Sequence, residues 1–163
     1  MIQRIQTIFL FLVAACMIVY LFFPLWQKVD GEVFEVVTIN AFQLVYESYN
    51  PENGDRTLIS EKSTIAISIL AILAAGVALF SIFQYHDRLR QIKLGALNSL
   101  IMAGVVGSSF YFILKAEKML GVGQQGQYLF GFYLGMVALL FNSLANRFIR
   151  KDEKLVRESD RIR

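Results

Sequence analysis

The sequence predicts an all-α polytopic membrane protein: a bundle of four transmembrane helices with a small, β-containing outer loop between the first and second. Three observations carry that reading. The 163 residues are 56% hydrophobic, with a mean hydropathy of +0.51. Only 18% are charged, against about 25% in a soluble domain. Those charges gather in short clusters separated by four apolar runs, and about 20 apolar residues suffice to cross the ~30 Å of hydrocarbon in a bilayer. The length fits a single domain over residues 1–163.

The first run covers about 5–26. Arg4 ahead of an apolar stretch is also how a signal peptide begins, but this run is too long for one and ends in Phe22-Phe23-Pro24-Leu25-Trp26, not in small residues. Val13-Ala14-Ala15-Cys16 matches a lipoprotein processing box. The residues after Cys16 stay apolar where a lipoprotein turns polar, which favours a small thiol packed in a helix over a lipidated one. With one cysteine in the chain, neither an intramolecular disulfide nor a cysteine-based zinc site is possible.

The outer loop, 27–63, reads as a small antiparallel β element. Asp30-Gly31 is a hairpin turn signal. Residues 32–39 and 42–46 are rich in Val, Phe, Thr and Tyr, which favour strands. A short helix over 40–46 is the alternative. Asn50-Pro51-Glu52-Asn53-Gly54-Asp55 is a turn cluster, and 56–60 suits a last short strand.

The second, third and fourth runs cover about 64–85, 92–114 and 128–149. No run has Asp, Glu, Lys or Arg in its interior, as expected where a central charge costs at least ~2.5–3.5 kcal/mol. The tight link His86-Asp87-Arg88-Leu89-Arg90 makes the second and third runs antiparallel neighbours. The link around Gly121-Val122-Gly123-Gln124-Gln125-Gly126 is rich in glycine and glutamine. Tyr20, Trp26, Tyr85, Tyr111, Tyr128 and Tyr133 lie mostly toward span ends, as interfacial anchors do.

Orientation follows from Lys and Arg. Eleven of them fall at the N-terminus, the second-to-third link and the stretch 147–163 that includes the tail 150–163, and five fall on the opposite side. That asymmetry places both termini in the cytoplasm. The long loop's seven acids suit an external face.

Few residues offer chemistry. Gly95, Ser99, Ala103 and Gly107 put small side chains at every fourth position of the third run, and Gly131 and Gly135 form a GxxxG in the fourth. Small faces let helices approach closely in lipid. They serve either packing within the bundle or an interface with a partner helix. Asn98 and Asn142 are polar groups within the spans, placed to hydrogen-bond across the third and fourth helices or to line a path for a small solute. His86 is the sole histidine, too few for a metal site or a serine-protease-like triad. No phosphate or dinucleotide fingerprint occurs, so neither an enzyme nor a cofactor is expected. A net charge of +3 argues against nucleic acid.

The tail extends the fourth helix with alternating charges, and Asp152 and Glu153 are spaced to meet Arg157, as Glu158 is to meet Arg161. Arg150, Lys151, Lys154, Leu155, Arg157 and Arg161 are its candidate contact residues, toward a cytosolic protein or anionic lipid. Leu155, Val156, Ser159 and Ile162 offer a narrow apolar edge.

The opening Met1-Ile2-Gln3-Arg4-Ile5-Gln6-Thr7, Phe23-Pro24-Leu25, and the closing Ile149-Arg150-Lys151-Asp152-Glu153-Lys154-Leu155-Val156-Arg157 with Ser159-Asp160-Arg161-Ile162-Arg163 resemble a Bacteroidetes family of small four-helix integral membrane proteins known only as a domain of unknown function. The resemblance implies a bacterial inner-membrane protein and supplies no activity, cofactor or binding residue. The expected role is a non-catalytic accessory or scaffold subunit of a larger inner-membrane complex, its partners being membrane lipids, other membrane proteins and a cytosolic protein at the tail. The competing role is small-solute transport or lipid handling.

Overall fold

The computed structural model describes residues 3–31, 33–85, 87–120 and 125–161. His86, the segment 121–124 and the last residues Ile162 and Arg163, all considered above, lie outside them. Four helices and five strands follow in the order α1 (Gln3–Tyr20), β1 (Trp26–Asp30), β2 (Glu35–Ile39), β3 (Gln43–Tyr49), β4 (Arg56–Ser63), α2 (Ile65–Phe83), α3 (Arg88–Glu117), β5 (Gln127–Tyr128) and α4 (Phe130–Arg161).

The helices pack in a ring, each against two neighbours: α1 on α2 and α4, α3 on α2 and α4. The inner faces are built from small and medium side chains, among them Ala71, Ala74, Ala78, Met102, Val105 and Ala138, all at most 1% exposed. The outer faces carry large apolar groups on every helix, including Phe11, Ile72, Leu100 and Leu140, each more than half exposed. A helix that is apolar on all sides suits a bilayer and not water. By length and composition α2, α3 and α4 can each cross a membrane, while α1 is apolar but shorter.

The first run does not stay helical to Trp26. Leu21 and Phe22 hydrogen-bond back to Ile18 and Val19 in a closing turn. Pro24 has no N–H to continue the ladder and biases Phe23 toward an extended backbone. Leu25 N–H then donates to the Ile39 carbonyl at 2.8 Å, and Trp26 opens β1. At the next turn, Asp87 caps α3 by accepting from the Arg90 N–H at 3.1 Å, so α3 starts at Arg88, earlier than the apolar run.

The outer loop is sheet, not helix. Its four strands and β5 from the α3–α4 connection form one sheet in the order β4-β3-β2-β1-β5, and every neighbouring pair is antiparallel. Trp26 stands opposite Ile39, Val37 opposite Tyr46, and Leu44 opposite Lys62. Period-two alternation puts Trp26, Val37, Ile39 and Leu44 on one face, all at most 1% exposed. That face joins the helix core beside Ile113, Ala116 and Leu120. The turn cluster closes β3 on β4 through Asn50 N–H to the Asp55 carbonyl at 2.9 Å, with Gly54 at φ 70°, where glycine carries no penalty.

Lys28 occupies an inward position of the same sheet, opposite Val37, and is only 3% exposed. Its Nζ donates to the Glu117 carbonyl at 3.1 Å, the Leu120 carbonyl at 3.3 Å and the Glu117 carboxylate at 3.3 Å. These carbonyls end α3, where no intrahelical donor remains and a cation meets the negative end of the helix dipole. Lys28→Met keeps the apolar stem and removes the three donations. The expected cost is about 2–3 kcal/mol, read as a lower midpoint for thermal unfolding in detergent. Faster amide exchange in β1 and β2 should accompany it, and an unchanged midpoint would show that the link carries no stability.

Candidate functional site

The structure brings the polar residues of α3 and α4 together halfway along their contact. Asn98 Nδ2 donates to Asn142 Oδ1 at 3.2 Å, and Asn142 Nδ2 in turn donates to Ser99 Oγ at 2.8 Å and the Gly95 carbonyl at 3.1 Å. Ser99 Oγ donates to that same carbonyl at 3.0 Å. Asn98 and Asn142 are 1% and 0% exposed, so both are sealed between helices. A Cβ at Gly95 would overlap the end of the Asn146 side chain, so a larger residue there requires that amide to move. The Oδ1 atoms of Asn98 and Asn146 are buried without a donor. Sequence reasoning found Asn98 and Asn142 but missed Asn146, which sits one turn after Asn142 and so shares its helix face.

The small-residue faces divide. Gly131 is buried where α4 begins, and a Cβ there would lie 2.7 Å from the carbonyl oxygens of Phe23 and Pro24. Gly135 faces the Tyr20 ring, 3.2 Å from an added Cβ. The GxxxG is thus spent inside the chain. On α3, Gly95 is buried and Ser99 half-buried, but Ala103 and Gly107 are exposed. Four residues advance an α-helix by more than a full turn, so a stripe at that spacing drifts around the helix and leaves the α4 contact. Tyr20 and Trp26, placed by type at the membrane interface, are instead core residues at 1% exposure. Tyr20 pairs with Ser109 at 2.7 Å, and the Trp26 ring lies against Gly126.

The tail remains helical to Arg161. Among the described side chains its ion pairs differ from the expected Asp152–Arg157 and Glu153–Arg157, and the expected Glu158–Arg161 pair lies outside them. Asp152 reaches across to Arg88 Nε at 3.2 Å, and Lys154 pairs with Glu158 at 3.8 Å. Asp152 turns away from Arg157 because it faces the start of α3, where a half-buried guanidinium offers more than a solvated one. Arg150, Lys154 and Arg157 share a groove with Leu89 and Ile92 of α3. Lys151 and Leu155 are exposed on the helix surface. The side chain of Arg161, like that of Ser159, is outside the described residues.

At the opposite end the sheet presents an open edge. Strand β4 pairs with β3 alone, and Leu58 and Ile59 are 59% and 49% exposed on it. The register slips at Tyr46/Glu47, leaving Ile59 as the extra residue of a bulge. Within the sheet, the Tyr46 hydroxyl donates to the Glu35 carboxylate. That bond, then burial and the nearby negative charges of Glu35 and Asp30, push the Tyr46 hydroxyl up to about 12.

The architecture is therefore a mostly helical one, with three helices able to cross a membrane and a small antiparallel sheet at one end. The chain belongs to the family described as "Domain of unknown function (DUF4293)", whose model matches residues 2–162. No curated protein matches it.

The α3–α4 cluster makes a graded prediction. Asn142→Leu removes three hydrogen bonds and Asn98→Leu removes one. At ~0.6 kcal/mol per bond between membrane helices, Asn142→Leu should destabilise by about 2 kcal/mol and Asn98→Leu by well under half of that. Thermal melts of the detergent-solubilised variants measure the order, and a reversed order would reject the assigned donors.

Proposed function

We propose that this chain crosses the bacterial inner membrane four times with both termini in the cytoplasm, as a non-catalytic accessory or scaffold subunit of a larger membrane-protein complex. The ring packing supports four spans. α1 lies alongside α2 and α4 and exposes Ile5, Ile8, Phe11, Ile18 and Val19, side chains that water would not tolerate together. The two ends of the chain emerge at the same end of the helices, remote from the sheet, as the Gln6–Phe148 and Arg88–Asp152 contacts require. The Lys and Arg asymmetry assigns that end to the cytoplasm. Labelling intact cells with a membrane-impermeant maleimide checks this after Cys16→Ser. Ser60→Cys should react in intact cells and Lys151→Cys only after lysis, and the opposite pattern would invert the topology.

The observation that carries the scaffold reading is the open β4 edge. An eight-residue edge strand with two exposed apolar side chains is a hazard that proteins normally cover, charge or shorten. Covering by a partner strand gives main-chain hydrogen bonds along the edge and pockets for alternate side chains. The Leu89–Arg157 groove at the other end offers a second contact, mixed in charge and suited to a cytosolic protein. An amino-terminally tagged chain should copurify in mild detergent with a stoichiometric membrane partner. The double variant Leu58→Lys with Ile59→Lys should lose that partner at least tenfold while melting at the same temperature. Copurification unaffected by the double variant would remove the edge from the contact, and a chain that purifies alone would remove the subunit role.

A further inference from the structure

At the end remote from the sheet, α1, α2, α3 and α4 enclose an open cavity of about 520 Å³. Its floor is polar. Gln6 and Gln91 are 5% and 3% exposed, and the Arg88–Asp152 ion pair closes one wall. Gln6 Nε2 is held by the Phe148 carbonyl at 3.3 Å, and Gln91 Nε2 by the Ser81 carbonyl at 3.1 Å. Both amides are thereby fixed in place. Thr7, Ile8, Ile82 and Phe83 also line a second hollow of about 430 Å³, which continues between α1 and α2 past Phe11, Leu12 and Leu79. Apart from Thr7 that groove is entirely apolar, and it opens on the outer surface of the helices.

We infer that this joined cavity and groove bind one phospholipid with a zwitterionic phosphoethanolamine head group, its acyl chain lying between α1 and α2 and its head group against Arg88 and Asp152. The inference rests on the proposed membrane spanning, which puts the groove in hydrocarbon and the cavity at the cytoplasmic interface. The two hollows share four lining residues, and together they run in the order a lipid requires, from the polar groups of Gln6, Gln91, Arg88 and Asp152 to an open apolar groove. The charge selects the head group. Among the described residues that line it, one guanidinium and one carboxylate balance, so a net anionic head group meets the Asp152 charge without compensation. A phosphate beside Arg88 and a primary ammonium beside Asp152 satisfy both. Arginine carries five N–H donors, and the 3.2 Å contact of Nε with Asp152 is an ion pair and not an aligned hydrogen bond. A quaternary ammonium fits the charge but has no N–H to donate to Asp152.

Native mass spectrometry of the full-length protein in detergent tests this, with equal amounts of phosphatidylethanolamine, phosphatidylcholine and phosphatidylglycerol of matched chains. One phosphatidylethanolamine per chain should be retained, with about a tenfold preference over the other two, the scale of one charge-assisted hydrogen bond. Asp152→Asn should abolish the preference over phosphatidylcholine. Leu79→Trp, which fills the groove from its exposed side, should lower retention of all three at least fivefold. Equal retention of the three lipids overturns the inference, as does a preference for phosphatidylglycerol or a preference that survives Asp152→Asn. If Asp152→Asn does not fold, Leu79→Trp decides alone, since unchanged retention overturns the site. A chain that fails to fractionate with membranes would instead overturn the spanning itself.

Discussion

Two main-chain residues join the parts of this molecule. The Leu25 N–H donates to Ile39 of the sheet, the Leu25 carbonyl accepts from Leu129 at 2.9 Å, and the Pro24 carbonyl accepts from Gly131 at 3.1 Å. The end of α1, the first strand pair and the start of α4 therefore meet at one elbow. Buried backbone polar groups must be paired, and here the pairing leaves no freedom in how the sheet sits on the helices. Gly131 follows from the same constraint, since any side chain would push α4 off the carbonyls that anchor it. Lys28 adds a second tie, from β1 to the far end of α3. A sheet of this size standing free in water would be marginal. Seated on the helix ends by these contacts, it holds as one body with them.

The buried polar groups divide into those that fasten the helices and those that face an opening. Asn98, Asn142 and Ser99 bond one another and the Gly95 carbonyl, leaving Asn98 Oδ1 without a donor, and their burial makes them a fastening between α3 and α4. Gln6, Gln91, Arg88 and Asp152 are placed differently. They are tied to the helices at one point each and border an open cavity at the helix ends. In sequence all of these are polar residues near apolar runs, and only their neighbours in space separate the two roles.

Much of the architecture was legible because it rests on local rules. The apolar runs, the strand-forming composition of the outer loop and the Asn50–Asp55 turn all express short-range preferences, and each element appears near its expected position. The errors come from tertiary context. Trp26 reads as the end of a span by hydropathy, yet the helix ends at Tyr20, Pro24 prevents its resumption, and the sheet recruits Trp26 as a strand residue. Strand β5 is two residues long and exists only because β1 leaves an edge beside it, so nothing local announces it. Lys28 looks like an ordinary loop charge, since the carbonyls it serves lie about ninety residues away in the chain. Asp152 was matched to Arg157 by helical spacing, but Arg88 on another helix competes for it. The cavity joins four helices and has no linear signature at all.

The helix lengths fit the proposed membrane spanning. α1 and α2 have 18 and 19 residues, about 27–29 Å at 1.5 Å per residue, close to the hydrocarbon thickness and no more. α3 and α4 have 30 and 32, and their surplus has to emerge. At the sheet end α4 starts level with the elbow and α3 ends where Lys28 receives it, so little of the surplus lies there. It lies at the other end, where α4 continues as the charged tail and Arg88 of α3 meets Asp152 beyond the last apolar turn of α1 and α2. On the four-span reading, the two shorter helices set the thickness of the apolar belt and the two longer ones project into the cytoplasm. The cavity opens at that step, where the apolar groove between α1 and α2 gives way to the side chains of α3 and α4. On that same reading, an amphipathic site is what packing short helices against long ones across a boundary between hydrocarbon and water produces.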